Sequence, residues 1–341
     1  MVWFVSYFFI ILFAIDTRYK KLNINLQRAL FVFSGFVLIL LYFSLNLKIL
    51  PDVEVYKKSY EDYQFLNLSD EHYEQGYNFF TKIFTFLGFN FYAFRIICIF
   101  ISTVLFFRGI FKLSKNISIS LLYFYVFVFS ISFLVQIRVG MGLAIYVGLG
   151  LPAYKQGKTF KSIFSIALAC LFHTSMIMLI VPYFLNFIKT AKSKFLVLII
   201  ALVFMKLNFI DIMLYLAQPF LGGKLQSYMY VVGSPYLSSR DYLTILLCVI
   251  CAFKSNQNKF DNLMYWNLFC SLVFHYIFSP FGEISVRFYL LYSYSLVFLM
   301  PLIYKFKRPI NNFCIYIFGF LNLYLLISKY GNGFIIGAAN W

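Results

Sequence analysis

Arg138, His173 and Arg287 are the residues of this 341-residue chain best placed to do chemistry, because each stands in or beside a long apolar run. An ionisable side chain in such a place is costly to keep and points to function by default. Arg138 lies in Val135-Gln136-Ile137-Arg138-Val139-Gly140-Met141-Gly142, His173 in Leu171-Phe172-His173-Thr174-Ser175-Met176, and Arg287 after Gly282-Glu283-Ile284-Ser285-Val286. Two guanidinium groups on one membrane face clamp a diphosphate through paired N–H donors. A neighbouring imidazole or carboxylate removes a proton from a sugar hydroxyl. Each group also has an ordinary use. Arginines at helix ends snorkel to lipid headgroups, a lone histidine in an apolar run packs and hydrogen-bonds, and Asp52 with its acidic neighbours forms a solvated loop. Metal binding is the weaker chemistry, since His72, His173 and His275 have no i, i+3 or i, i+4 spacing.

The elements that must position these residues are membrane helices. The chain is 62% hydrophobic and only 12% charged, with a mean hydropathy of +0.82, too little polar surface for a soluble domain of this length. Apolar runs fall at 1–15, 29–47, 89–107, 118–137, 139–154, 162–174, 175–188, 195–211, 241–253, 262–279, 288–304 and 311–328. A spanning helix needs roughly 17–25 apolar residues, so the shorter runs predict kinked or re-entrant segments. The fold class is an all-α polytopic membrane protein of roughly 10–12 transmembrane helices. The chain reads as one integral membrane domain, residues 1–341, with two longer external loops at about 48–88 and 212–240. Within the first loop, the aromatic stretch from Tyr77 to Phe94 is weakly amphipathic and suits the membrane surface.

The net charge of +17 is not a nucleic-acid signature, because no binding motif accompanies it. Its basic residues come in clusters between apolar runs: Arg18 to Arg28, Arg108 to Lys115, Lys155 to Lys161, Lys189 to Lys194, Lys254 with Lys259, and Lys305 to Arg308. These alternate with loops that lack them, which makes the clustered loops cytoplasmic and both termini external. Arg138, His173 and Arg287 then share the external face with Asp52, Glu54 and His72. The six cysteines sit inside apolar runs, where cysteine packs as a small hydrophobe, and the C-x-x-C of Cys248 and Cys251 is read the same way. The N-terminus lacks a basic n-region and cleavage site, so its first apolar run is expected to remain as a helix. G-x-x-x-x-G-K-[ST] is absent, which argues against ATP hydrolysis within the chain.

In order along the chain stand Pro51-Asp52-Val53-Glu54-Val55-Tyr56 with Tyr60, Glu74-Gln75-Gly76-Tyr77, Arg138-Val139-Gly140-Met141-Gly142-Leu143-Ala144, Phe172-His173-Thr174-Ser175 and Arg287-Phe288-Tyr289. This series resembles the EpsG family of Wzy-type polysaccharide polymerases over nearly the whole chain, with Pro51 where a family glycine commonly precedes the early Asp. The resemblance implies a GT-C-like helical bundle in the bacterial inner membrane. It implies glycosyl transfer at the external face, from undecaprenyl diphosphate onto a lipid-linked repeat unit of an O-antigen or capsule, without a cofactor. Arg138 and Arg287 are then the diphosphate ligands, and Glu54, Tyr56, Glu74 and Tyr77 line the substrate. His173 or Asp52 is the general base, with Glu283 as orienting partner or substitute. Partners implied are undecaprenyl-diphosphate-linked oligosaccharides, membrane lipids and a chain-length regulator protein. Two other classes fit many helices with external polar groups: a membrane O-acyltransferase and a lipid-linked oligosaccharide flippase.

Overall fold

The computed structural model describes residues 53–64, 73–206, 237, 239–255, 258–279, 283–303, 319 and 321. The expected spans 1–15, 29–47 and 311–328, the loop 212–240, and Asp52 and His72 lie outside these residues, apart from isolated positions in the last span and the loop. The helices are α1 (Val53–Gln64), α2 (Gln75–Phe86), α3 (Phe91–Leu113), α4 (Ile117–Phe124), α5 (Ile137–Lys155), α6 (Thr159–Cys170), α7 (Val181–Leu185), α8 (Ala191–Lys206), α9 (Ser239–Lys254), α10 (Lys259–Ile277), α11 (Glu283–Ser293) and α12 (Leu296–Ile303). A π-helical stretch, Tyr125–Phe133, continues α4; another, Tyr146–Gly150, lies inside α5; a 3-10 helix, Thr174–Ile180, leads into α7. No strand occurs among the described residues. In lipid the backbone must bond within its own segment, and a helix does this.

The 23 residues of α3 and the 19 of α5 are each long and apolar enough to cross a membrane. Ile284–Ser293 and α12 pass that test only together, bent by 51°. The chain is an all-α polytopic membrane protein. The span expected at 89–107 runs on to Leu113, which carries Arg108 and Lys112 on the last turns of α3 rather than in a loop. Both are exposed, so their stems extend the helix while the charges reach outward. The runs at 162–174 and 175–188 form short pieces instead of full spans. The 12-residue α6 rises only about 18 Å at 1.5 Å per residue, and the chain turns at Leu171-Phe172-His173 before the 3-10 helix. The aromatic stretch Tyr77 to Phe94 is likewise two elements. α2 stops at Phe86, Gly88 turns at φ +76°, and the Asn90 side chain caps α3 by accepting from the Ala93 N–H at 2.9 Å.

The described residues form two compact groups, divided between Ile177 and Met178. In the first, α3 and α5 run in the same direction. Their basic ends meet where Lys155 Nζ donates to the Lys112 carbonyl at 3.2 Å. Gly148 makes this approach possible, since a Cβ there would run into the Leu105 carbonyl oxygen. The return segment from α4 fills the core with Phe124 and Phe133, whose rings lie 5.5 Å apart, and buried Arg95 donates to the Leu134 carbonyl. In the second group α10 is central and packs on α7, α8, α9, α11 and α12. Lys194 is buried there, donating to Ser255 Oγ at 2.8 Å with its ammonium 4.7 Å from the Tyr265 ring centre. Cys248, Cys251 and Cys270 are buried and unpaired, in keeping with a packing role.

Candidate functional site

The N-terminal turn of α5 carries Arg138 into a cluster built from α1, the start of α2 and the turn after α6. Its Nη1 donates to Glu74 Oε2 at 2.5 Å and its Nε to the Tyr56 hydroxyl at 3.4 Å. The guanidinium also lies 4.2 Å from the Tyr73 ring centre and 5.4 Å from that of Tyr56. Guanidinium over tyrosine faces is an attractive electrostatic arrangement. Tyr56, Tyr73 and Tyr77 pack on one another with ring centres 5.6 to 6.0 Å apart. Tyr77 is buried, and Tyr60 below it donates to the Phe89 carbonyl at 2.8 Å. A cation, a carboxylate and several aromatic faces therefore share one place.

Glu74 joins the parts. It stands at the N-cap of α2 but makes no capping bond there. That is an unusual use of a position that favours short polar side chains bonded to the helix. Its Oε1 instead accepts from the Thr174 N–H at 3.1 Å and the Thr174 hydroxyl at 3.4 Å. Two residues on, the Gly76 N–H donates to the Leu171 carbonyl at 2.7 Å, and a side chain at Gly76 would strike that same carbonyl. Phe172 packs edge-on against Phe80 of α2, with centres 5.5 Å apart. The Glu74-Gln75-Gly76-Tyr77 and Phe172-His173-Thr174-Ser175 segments are thus one docked unit. Burial acts to raise the Glu74 carboxyl, but Arg138, hydrogen bonds from its own and the Thr174 backbone, and His173 together hold it below the usual carboxylate range.

His173 is half-buried, and Ser175 bonds it: the Ser175 N–H donates to Nδ1 at 3.2 Å, with Ser175 Oγ 2.7 Å from the same nitrogen. A ring nitrogen that accepts a backbone N–H carries no proton, so the neutral ring holds its proton on Nε2. In this arrangement neutral His173 presents a donor at Nε2.

Of the residues expected from sequence, Arg138, Glu74, Tyr56 and Tyr77 come together, with His173 on the turn that holds Glu74. Glu54 is exposed on α1, and Asp52 falls outside the described residues. Arg287 is exposed on α11 in the second group, and Glu283 opens that helix. Beside Arg287, Phe288 stacks on Phe278 at 4.6 Å between ring centres, and Tyr289 is buried against His275 at 5.5 Å. Sequence reasoning did not single out Tyr73, gave Thr174 and Ser175 of the Phe172-His173-Thr174-Ser175 motif no role of their own, and did not find a buried pair in the second group. There His275 Nδ1 lies 2.8 Å from Asp241 Oδ1, with the ring N–H off the line to that oxygen. The Ser285 hydroxyl donates to the His275 carbonyl at 2.8 Å.

No curated protein and no solved structure matches this chain. The model of the EpsG family matches residues 28–336, so the match takes in both compact groups and every motif of the Arg138 cluster. With a helical membrane fold and a family match over nearly its whole length, the chain belongs to the EpsG family, whose members are Wzy-like polymerases of surface polysaccharide.

Proposed function

We propose that the chain polymerises lipid-linked oligosaccharides at the outer face of the bacterial cytoplasmic membrane. It would transfer a growing glycan from undecaprenyl diphosphate onto the terminal sugar of a new lipid-linked repeat unit, for an O-antigen or a capsule. The observation that carries this reading is the Arg138 cluster, a guanidinium over the Tyr56 and Tyr73 rings, with Tyr77 packed on both, and already holding an anion at 2.5 Å. A guanidinium suits the diphosphate on which charge develops as the glycosidic bond breaks. Tyrosine faces suit the apolar faces of sugar rings. His173, with Nδ1 accepting from Ser175, offers its Nε2–H to a leaving oxygen. Arg287, on α11 of the second group, is the other guanidinium that the family resemblance marks for the diphosphate, and Asp52 and Glu283 are the other carboxylates it marks for proton transfer.

A deletion strain tests the reading. It should keep single repeat units, lipid-linked or on lipid A–core, and lose the long-chain ladder. Arg138→Ala and Arg287→Ala should each reproduce that loss while inserting normally, and Arg138→Lys should restore only part of the polymer, because ammonium lacks the planar fork. Loss of an acetyl substituent with chain length intact would instead identify an acyltransferase. Loss of even single-unit product would identify a flippase.

A further inference from the structure

Arg138 meets any incoming diphosphate with its Nη1 already engaged by Glu74 at 2.5 Å. A carboxylate oxygen and a phosphoryl oxygen are alternative acceptors for that N–H, so they compete for one arm of the guanidinium. Both side chains are reachable, at 17% and 15% exposure, and neither is sealed in the core. Glu74 has two separate holds. Oε2 is on Arg138, while Oε1 is on the Thr174 N–H and hydroxyl, so losing the first leaves the second as a pivot. The carboxylate then stays at the site, facing the place from which it was displaced.

We propose that the donor's diphosphate replaces Glu74 on Arg138, and that Glu74, released but still held by Thr174, takes the proton of the acceptor hydroxyl. This rests on the polymerase reading above. In the step, the bond between the anomeric carbon and the diphosphate oxygen breaks, and its electron pair leaves with undecaprenyl diphosphate. The acceptor oxygen forms the new bond to that carbon, its proton passes to Glu74, and Glu74 later gives it to water. The exchange also ties the base to the donor. With Arg138 paired to phosphate, the charge that most favours the ionised carboxylate is gone, so Glu74 is a stronger proton acceptor once a donor is bound. Neutral His173 is arranged for the complementary task, because its Nδ1 accepts from Ser175 and its proton sits on Nε2.

The test uses the full-length protein in detergent, with geranyl diphosphate as the probe. Glu74→Gln keeps a neutral amide at the same reach but removes the competing anion and the base. It should bind geranyl diphosphate at least about tenfold more tightly than wild type, since a like charge beside the phosphate is gone, and cells carrying it should make no long-chain polymer. Equal or weaker binding, or a normal ladder, overturns the exchange. The wild-type chain gives a second measurement that does not depend on the variant folding. Infrared difference spectra on adding saturating geranyl diphosphate should show a shifted carboxylate band, and an unshifted spectrum overturns the proposal. The polymerase reading is judged separately by the ladder of the deletion strain, which no result with Glu74→Gln alters.

Discussion

Glu74 is a carboxylate whose ionised state is a structural bond as well as a chemical resource. Because its pKa in the folded chain is held below its ordinary value of 4.5, its contribution is fully present above that value and is lost as pH falls through the folded pKa. What is lost at low pH is the docking of the α2 start onto the turn at Thr174. Hydrogen exchange checks this directly. After correction for the intrinsic rate, protection of the Thr174 and Gly76 amides should stay level from pH 7 down to about 5 and then decline. In Glu74→Gln that decline should disappear, and a decline that persists would mean that another group governs the docking. Arg138, Glu74, Tyr56 and Tyr77 were legible in the sequence because charge beside an apolar run marks itself, and because the motifs keep a recognisable order. Tyr73 was not, since one tyrosine among 28 carries no pattern of its own. Thr174 and Ser175 act through their hydroxyls and also through backbone N–H groups, which every residue has.

At the scale of elements, Gly148 under the Leu105 carbonyl shows how closely α3 and α5 approach. The breaks were hard to read from sequence. α6 and the 3-10 helix are as apolar as a span, and only the turn geometry at Leu171 to His173, absent from any hydropathy profile, divides them. The tie between α9 and α10 was also hidden, because Asp241 and His275 lie far apart in sequence and meet only when the helices pack. Asp241 is fully buried and His275 is 6% exposed, so either one alone would be left in a low-dielectric surround. Asp241→Ala should therefore destabilise the protein by about 1–3 kcal/mol, the usual cost of leaving a buried polar group without its neighbour. The measurement is the thermal midpoint in detergent for Asp241→Ala, His275→Ala and the double variant. Coupling between the two sites is expected. Additive losses would show that the two side chains pack independently and that the 2.8 Å approach contributes nothing of its own.

Across the whole molecule, the distribution of charge relates the site to the membrane. In the first compact group Lys112 and Lys155 meet at one end of α3 and α5, while Arg138 and its tyrosines stand at the opposite end of α5. If basic segments stay on the cytoplasmic side during insertion, the Arg138 end should face outward, the side the proposed reaction requires. Between Glu54 and Lys158 the chain passes through α3, the α4 segment and α5, an odd number of crossings, so these two exposed residues should lie on opposite sides. A membrane-impermeant maleimide decides it. The thiol introduced by Glu54→Cys should react in intact spheroplasts, and that from Lys158→Cys only after lysis. Labelling of both before lysis would remove one of the three crossings. The reverse pattern would turn the Arg138 cluster toward the cytoplasm, where a polymerase of exported repeat units has no substrate.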